Sequence, residues 1–476
     1  MTEKSKLIWV YLFSILFIAV NSYLIVNDFL WGALVPIVLI IALLYFISID
    51  KIILLITFLT PLAIKIENLD LGVGLSLPTE PLMFGVLVFF FIKILYEGKY
   101  DDRIIKHPIT IAIFINLIWI LFTSITSEMP VVSFKFLISR LWFVVPFYFF
   151  AILLFKKYSN IKLFIWLYVI AFIGVIFYTL YNHSIRGFDE ESGHWVMTPF
   201  YNDHTAYGAL LAVFIPVLFA FIINKKYSIN IRIISFIAFF IFIVALIFSY
   251  SRAAWLSLAT SLIVLIIVLL KIKFRWVFLS SVIIIGLFFT FQQQIFDKLE
   301  QNQQDSSANF VEHIQSISNI SSDASNLERI NRWQSAIRMF MDRPFWGWGP
   351  GTYQFLYAPY QRSKEKTIIS TNAGDLGNAH SEYIGPLAES GVFGMISIML
   401  IFSFTVYTGL KVYKNAVNNE IKLISLSIVI GLISYFIHGF LNNFLDTDKA
   451  SVPIWGFMAI LVAIDLYHNN KIENKT

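Results

Sequence analysis

The sequence has no cysteine. No disulfide and no thiolate metal site can form, and the redox state of the compartment leaves no mark on the chain. Charge is scarce too. Only 14% of the 476 residues are Asp, Glu, Lys or Arg, against about 25% in an ordinary soluble domain, which excludes separate soluble domains. Lys4 and Lys6 precede the first apolar run with no small-residue cleavage site after it, so that run reads as a retained helix and not a cleaved signal peptide. Neither internal repeats nor interrupted helices are legible, which argues against a transporter or flippase.

What is present is apolar surface. The chain is 58% hydrophobic with a mean hydropathy of +0.75, the composition of a polytopic membrane protein. Its 48 Phe, 22 Tyr and 12 Trp suit lipid-facing and interfacial positions. A spanning helix needs about 20 mainly apolar residues. Candidates lie at 7–26, 30–49, 51–65, 80–96, 109–125, 134–155, 161–181, 204–223, 231–250, 252–270, 274–291, 383–410, 420–440 and 452–468. The expected fold is therefore all-α, with about 14 transmembrane helices (12–14). The third candidate is short enough to be re-entrant. The junction Ser249 to Arg252 is so tight that its flanking helices should form a hairpin.

Three regions follow: helices 1 to 11 over 1–291, one large loop over 292–382, and helices 12 to 14 over 383–476. Basic residues orient them. With the N-terminus inside, every inner loop is basic, for example Lys99, Arg103 and Lys106, then Lys156 and Lys157, then Lys225 and Lys226. The short outer loops are poor in Lys and Arg. Both termini are then cytoplasmic and the large loop is extracytoplasmic. Its first part, 292–325, reads as a polar flap. An amphipathic helix over 326–343 follows, opened by the capping box Ser325-Asn326-Leu327-Glu328. Leu327, Ile330, Trp333, Ile337, Phe340 and Met341 form one apolar stripe, expected to face the membrane domain.

Chemistry-bearing side chains gather in the outer segments. Arg329 and Arg332 would sit near a helix start, where free N–H groups also favour an anion, and the arginine fork suits phosphate. Both could equally be the solvated face of the helix. Arg252 follows the Ser249-Tyr250-Ser251 turn and either binds a charge or snorkels to headgroups. Arg140 lies inside an apolar segment, where an ionisable group is functional or belongs to an ion pair, for example with Glu128 or Asp203. His380 precedes a spanning helix and has the residue type of a general base, with Glu382 placed to orient it. It could also be an interfacial histidine with no task. Asn202-Asp203-His204 is a second polar cluster. His183, His194 and His204 share a loop with Asp189, Glu190 and Glu191, but their spacing matches no metal motif, and no metal is expected. Gly347, Gly349 and Gly351 do not make a nucleotide loop, since a helix precedes them and no Lys-Ser/Thr follows. They read as a tight turn that lets backbone approach a headgroup.

Together these motifs resemble the O-antigen ligase/polymerase superfamily. The resemblance rests on Arg329-x-x-x-Trp333, the run Asp342-Arg343-Pro344-Phe345-Trp346-Gly347-Trp348-Gly349-Pro350-Gly351, and Asn378-Ala379-His380-Ser381 with Gly391 and Gly394. Ser251-Arg252 and Pro199-Phe200-Tyr201-Asn202 add to it. It is sharp over about 245–395 and generic elsewhere. One departure is Asp203-His204, where a small or apolar residue would be expected.

The resemblance implies a GT-C-like membrane glycosyltransferase, metal-independent and inverting, with no cofactor. Its donor would be a glycan on undecaprenyl diphosphate, and its acceptor lipid A core or another glycan. It implies His380 as the base and Arg252 and Arg329 as diphosphate ligands. Arg140, Arg186, Asn202, Arg332 and Glu382 stand as secondary substrate-binding candidates. Membrane lipids are the other expected partners, nucleic acid is not, and the implied place is the bacterial inner membrane with the site on its periplasmic face. A repeat-unit polymerase using the same donor is the near alternative, and a polysaccharide transporter or flippase a more distant one.

Overall fold

The computed structural model describes residues 3–28, 32, 36, 39–41, 44–45, 48–66, 74–273, 275–276, 279, 282–283, 286, 290, 324–363, 366, 370 and 377–469. These form two compact units, Met1–Leu55 and Ile56–Thr476. The first contains helix α1 (Glu3–Val26).

The second unit carries the rest of the described helices. The boundary falls inside α2 (Ile49–Leu59), which has 11 residues. At about 1.5 Å per residue it covers roughly half of a ~30 Å hydrocarbon core. A 3-10 turn at Thr60–Leu62 ends it at Pro61, and the chain then pairs β1 (Ile64–Ile66) antiparallel with β2 (Leu75–Leu77). The segment read as a third span is thus a half-length helix leading into a small hairpin. This hairpin is the one departure from an all-helical chain among the described residues.

The long helices that follow are α3 (Thr79–Glu97), α4 (Pro108–Ile125), α5 (Pro130–Leu154), α6 (Tyr158–Ser184), α7 (His204–Ile223), α8 (Ile229–Ile247) and α9 (Arg252–Leu269). After α10 (Ala324–Asp342) come α11 (Ile384–Asn415), α12 (Asn419–His438) and α13 (Asp448–His468). Among the described residues 11 helices are long and apolar enough to cross a membrane, and the protein is an integral membrane protein. The expected spans at 30–49 and 274–291 lie largely outside the described residues, and so does the expected flap at 292–325, all but its last two residues.

Polar caps start these helices by meeting their free N–H groups. Asp203 accepts from the Thr205 N–H at 2.8 Å, and Asn418 accepts from Ile421 at 2.9 Å. Helices α7, α12 and α13 make the most buried part of the bundle. Helix α7 packs on α12, α8 and α9, and α9 packs on α12. The hairpin expected at Ser249–Arg252 is limited to the turn, where the Trp255 indole donates to the Leu246 carbonyl at 2.7 Å. Beyond it α8 follows α7 and α6 while α9 follows α12, because each finds more apolar surface there.

Two ends of the bundle are chemically different. At one end Lys411 pairs with Asp465 at 2.9 Å, Lys162 with Glu420 at 3.1 Å and Arg103 with Asp101 at 3.1 Å. Lys99, Lys106, Lys156, Lys157, Lys225 and Lys226 lie in the same set of connections. The other end carries the connections that hold Asp203, Arg252, His380 and Asp446. There Asp448 accepts from the Thr79 hydroxyl at 2.6 Å, and the Lys449 ammonium donates to the carbonyls of Thr60 and Ala63.

Candidate active site

Helix α11 is broken near its start. Gly391 has φ 68 and ψ −169, which no other residue adopts cheaply. The break leaves backbone carbonyls at 388 to 390 without helical partners, a heavy cost in a membrane protein. The strap Pro344–Gly349 repairs it. Trp348 N–H donates to the Ala388 carbonyl at 3.2 Å, and Gly349 N–H to the Glu389 carbonyl at 2.7 Å. The Trp119 indole donates to the Ser390 carbonyl at 2.7 Å, and Val392 N–H to the Pro344 carbonyl at 2.9 Å. A Cβ on Gly349 (φ 115) would stand 1.9 Å from Ser127 Oγ, and one on Gly347 2.3 Å from the Glu389 backbone. The glycine turn therefore serves a broken helix, and its backbone is turned to α11 and not to a headgroup. An interrupted helix is present after all, near one end of its span.

On this strap stands α10. Its buried face consists of Glu328, Asn331, Arg332, Ser335, Ala336 and Met339. Ala336 and Met339 share a core with Tyr353, Tyr357, Ala379 and Ala388. Leu327, Ile337 and Met341 are exposed instead. Ile330, Trp333 and Phe340 are only half-buried, so the apolar stripe is not the face turned to the domain, contrary to expectation. Small residues let the helix approach closely, and the polar ones on the inner face find partners. Arg332 Nε donates to Glu328 Oε1 at 2.8 Å, and Ser370 Oγ also donates to Glu328. The helix begins at Ala324, ahead of the expected capping box, and Glu328 bonds Arg332, Asn331 and Ser370. Arg329 consequently sits in the second turn and not the first.

Arg332 reaches the histidine loop. Its NH1 donates to the Asn378 carbonyl at 3.0 Å, and a Cβ on Gly377 would lie 2.1 Å from that nitrogen. The Asn378 side chain then accepts from the His380 N–H at 3.1 Å, turning the backbone so that His380 takes φ 47. Burial, then the fields of Arg332 and Arg329, lower the His380 pKa from 6.5 to about 4 against the pull of Asp203 and Glu328. The imidazole is neutral at neutral pH. Asp203 lies within the same field. Burial raises its carboxyl, but His204, the bonds from Thr205 and the Arg329 charge outweigh that and hold it low. His380, Arg329, Arg332, Glu328 and Asp203 therefore form one electrostatic cluster.

The other candidates are placed differently. Arg252, at the start of α9, stands 3.9 Å from Glu190, while Gly208 of α7 lies against the neighbouring Ser251. The start of α9 thus packs on α7 about one turn from His204. Arg140 donates to Asp446 at 2.8 Å and to the Leu445 carbonyl at 3.3 Å, so neither Glu128 nor Asp203 is its partner. Glu128 takes Arg343 instead, at 2.8 Å. Glu382 does not orient His380. Its Oε1 accepts from the Tyr435 hydroxyl at 2.7 Å and from the N–H groups of Phe444 and Leu445 at 2.8 and 2.9 Å. Burial and the nearby Asp446 raise its pKa. Arg186 is exposed over the Trp195 ring at 4.5 Å, and Asn202 is exposed. His183 bonds the Asp189 carbonyl at 2.8 Å, and His194 stacks on His204 with ring centroids 4.3 Å apart.

One residue of this region escaped the sequence reading. His438 closes α12 at 1% exposure, and the charges whose fields reach it are Asp203, Arg329 and His204. An ionisable side chain ending an otherwise apolar helix was the available signal.

The chain is similar to known proteins over part of its length. Teichuronic acid biosynthesis protein TuaE of Bacillus subtilis (strain 168) is 21% identical over 140 residues, which are 29% of this chain and 26% of that protein. The match thus spans about a quarter of the relative. Residues 237–399 match the family described as O-antigen ligase. That segment holds Arg252, the α10 arginines, the strap, the break in α11 and His380, so the similarity of this polytopic membrane protein to the O-antigen ligase family falls on the residues of the cluster.

Proposed function

We propose that the protein is a membrane glycosyltransferase that moves a glycan from undecaprenyl diphosphate to an acceptor hydroxyl. The carrying observation is a neutral imidazole, His380, held among arginines on the loop that Arg332 fixes. Arg329 and Arg252 bind the diphosphate and meet the charge that grows on it as it leaves. His380 takes the proton of the acceptor hydroxyl, whose oxygen attacks the anomeric carbon from the face opposite the departing diphosphate, inverting it. The carbon–oxygen bond to diphosphate breaks with its electron pair on the leaving group, so the step calls on neither general acid nor metal. Arg332 acts by positioning.

The two roles are coupled. In the free protein the arginine field makes His380 a weak base. A bound diphosphate cancels part of that field and raises the imidazole's basicity. Base and donor thus arrive together, which limits loss of the glycan to water.

The basic connections at the opposite end favour a cytoplasmic position for that end, by the bias of Lys and Arg in short loops. The site then faces the extracytoplasmic side of a bacterial inner membrane. Lipid A core or another surface glycan would be the acceptor. The relative's printed role in teichuronic acid biosynthesis keeps a second reading, a polymerase adding the same donor to a lipid-linked repeat.

Purified protein incubated with a defined donor and each acceptor class, with the product identified by mass, tests this. His380→Ala should lose transfer while still inserting, and full activity in that variant removes the base role. Labelling position 380 from either side of intact cells tests the sidedness.

A further inference from the structure

Several buried polar atoms remain beside the cluster. His438 has both ring nitrogens buried and without a hydrogen-bond partner among the described residues. Asn442, at 2% exposure, has its Nδ2 in the same state, and Asn443 its Oδ1. Each such group costs about 1–3 kcal/mol if nothing satisfies it, so a concentration of them within six residues calls for a ligand.

Their place is fixed by the histidine loop. Asn442 N–H bonds the His438 carbonyl at 3.2 Å. Glu382 N–H donates to the Gly439 carbonyl at 2.7 Å, and its carboxylate holds the N–H groups of Phe444 and Leu445. The turn 438–445 is therefore wrapped around a residue two positions from His380. From the other side His438 lies in the fields of Asp203 and Arg329.

We infer that His438 and Asn442, with Asn443, form a saccharide subsite that holds the donor sugar next to the diphosphate. The inference rests on the proposed function, since it takes Arg329 as a diphosphate ligand. Imidazole and amide groups suit hydroxyl or acetamido partners, whereas phosphate is better met by the arginine fork. A sugar bonded to a diphosphate on Arg329 has its ring within the next few ångströms, and His438 lies in the field of that arginine on the turn held by Glu382. His438 falls on the donor side because Arg329, Asp203 and His204 reach it.

The test is binding to purified full-length protein in lipid nanodiscs. One probe is undecaprenyl diphosphate bearing a single N-acetylhexosamine; the other is undecaprenyl diphosphate alone. The wild type should bind the sugar-bearing lipid at least tenfold more tightly. His438→Ala should reduce that preference to within twofold, leave the affinity for the plain lipid unchanged and keep the melting temperature. Asn442→Ala serves if His438→Ala does not fold, and should cut the preference at least threefold. Equal binding of both lipids by the wild type, or a preference intact in both variants, overturns the subsite. A preference that is present and lost in the variants, with no glycan transferred to any acceptor, supports the subsite and sinks the transferase reading instead.

Discussion

Arg332 donates to the main-chain carbonyl of Asn378 at 3.0 Å, and Asn378 in turn holds the N–H of His380. A helix and a loop 46 residues apart in the chain are thereby one object. The charge on the helix sets both where the imidazole stands and how readily it takes a proton.

Removing that charge should move a pH profile. The kcat/KM of the wild type should hold from neutrality down to about pH 5 and fall near pH 4, where free His380 protonates. In Arg332→Met the acid limb should move upward, toward the ordinary 6.5, and the rate at pH 7 should drop about tenfold or more as the loop loosens. An acid limb at the same pH in both proteins would refute the electrostatic part of this account.

Acid should also loosen the site. His380 has a depressed pKa, so the unfolded chain binds more protons between about pH 6.5 and 4. Glu328 and Asp203 are held low as well: burial pulls both up, but their hydrogen bonds and neighbouring arginines outweigh it. All three therefore contribute stability that is present near neutrality and lost as pH falls. Protection factors at 377–383, with the intrinsic acid slowing of amide exchange divided out, should fall on acidification toward pH 4, and protection that rises would contradict the sign.

Gly349→Ala should be among the most damaging small changes in the chain. It combines φ 115 with a 1.9 Å clash against Ser127, and left-handed strain alone costs about 1–3 kcal/mol. The measurement is the melting temperature in detergent. Gly187→Ala, at φ 72 but with open space around its Cβ, should cost less.

Arg140 offers the reverse case. It is buried, but its partner Asp446 is 41% exposed at the side chain, so the pair should be worth less than the 3–5 kcal/mol lost on breaking a fully buried one. Arg140→Met should destabilise by about 1–3 kcal/mol and leave transfer per folded molecule within twofold. A large loss of activity in a protein that melts normally would return Arg140 to the substrate.

Apolar length is read easily from sequence, because crossing a bilayer demands it, and α3 to α9 fall where their residues indicate. The facing of α10 was not readable. Leu327, Ile337 and Met341 make the better apolar stripe, yet Glu328, Asn331 and Arg332 are inside, since partners from other parts of the chain remove the cost of burying them. Arg140 and Asp446 are 306 positions apart, and no spacing rule joins them. The glycines at 347 and 349 were visible as a turn, but the carbonyls they serve belong to a helix some 40 residues on.

The mended break in α11 decides which party moves. Detaching the strap would strand the carbonyls of Ala388 and Glu389 and the N–H of Val392 where water is scarce. The arginines of α10 ride on that strap and cannot swing out to collect a lipid. Under the proposed function, recruitment would work the other way, with a lipid carrier's headgroup travelling to fixed cations.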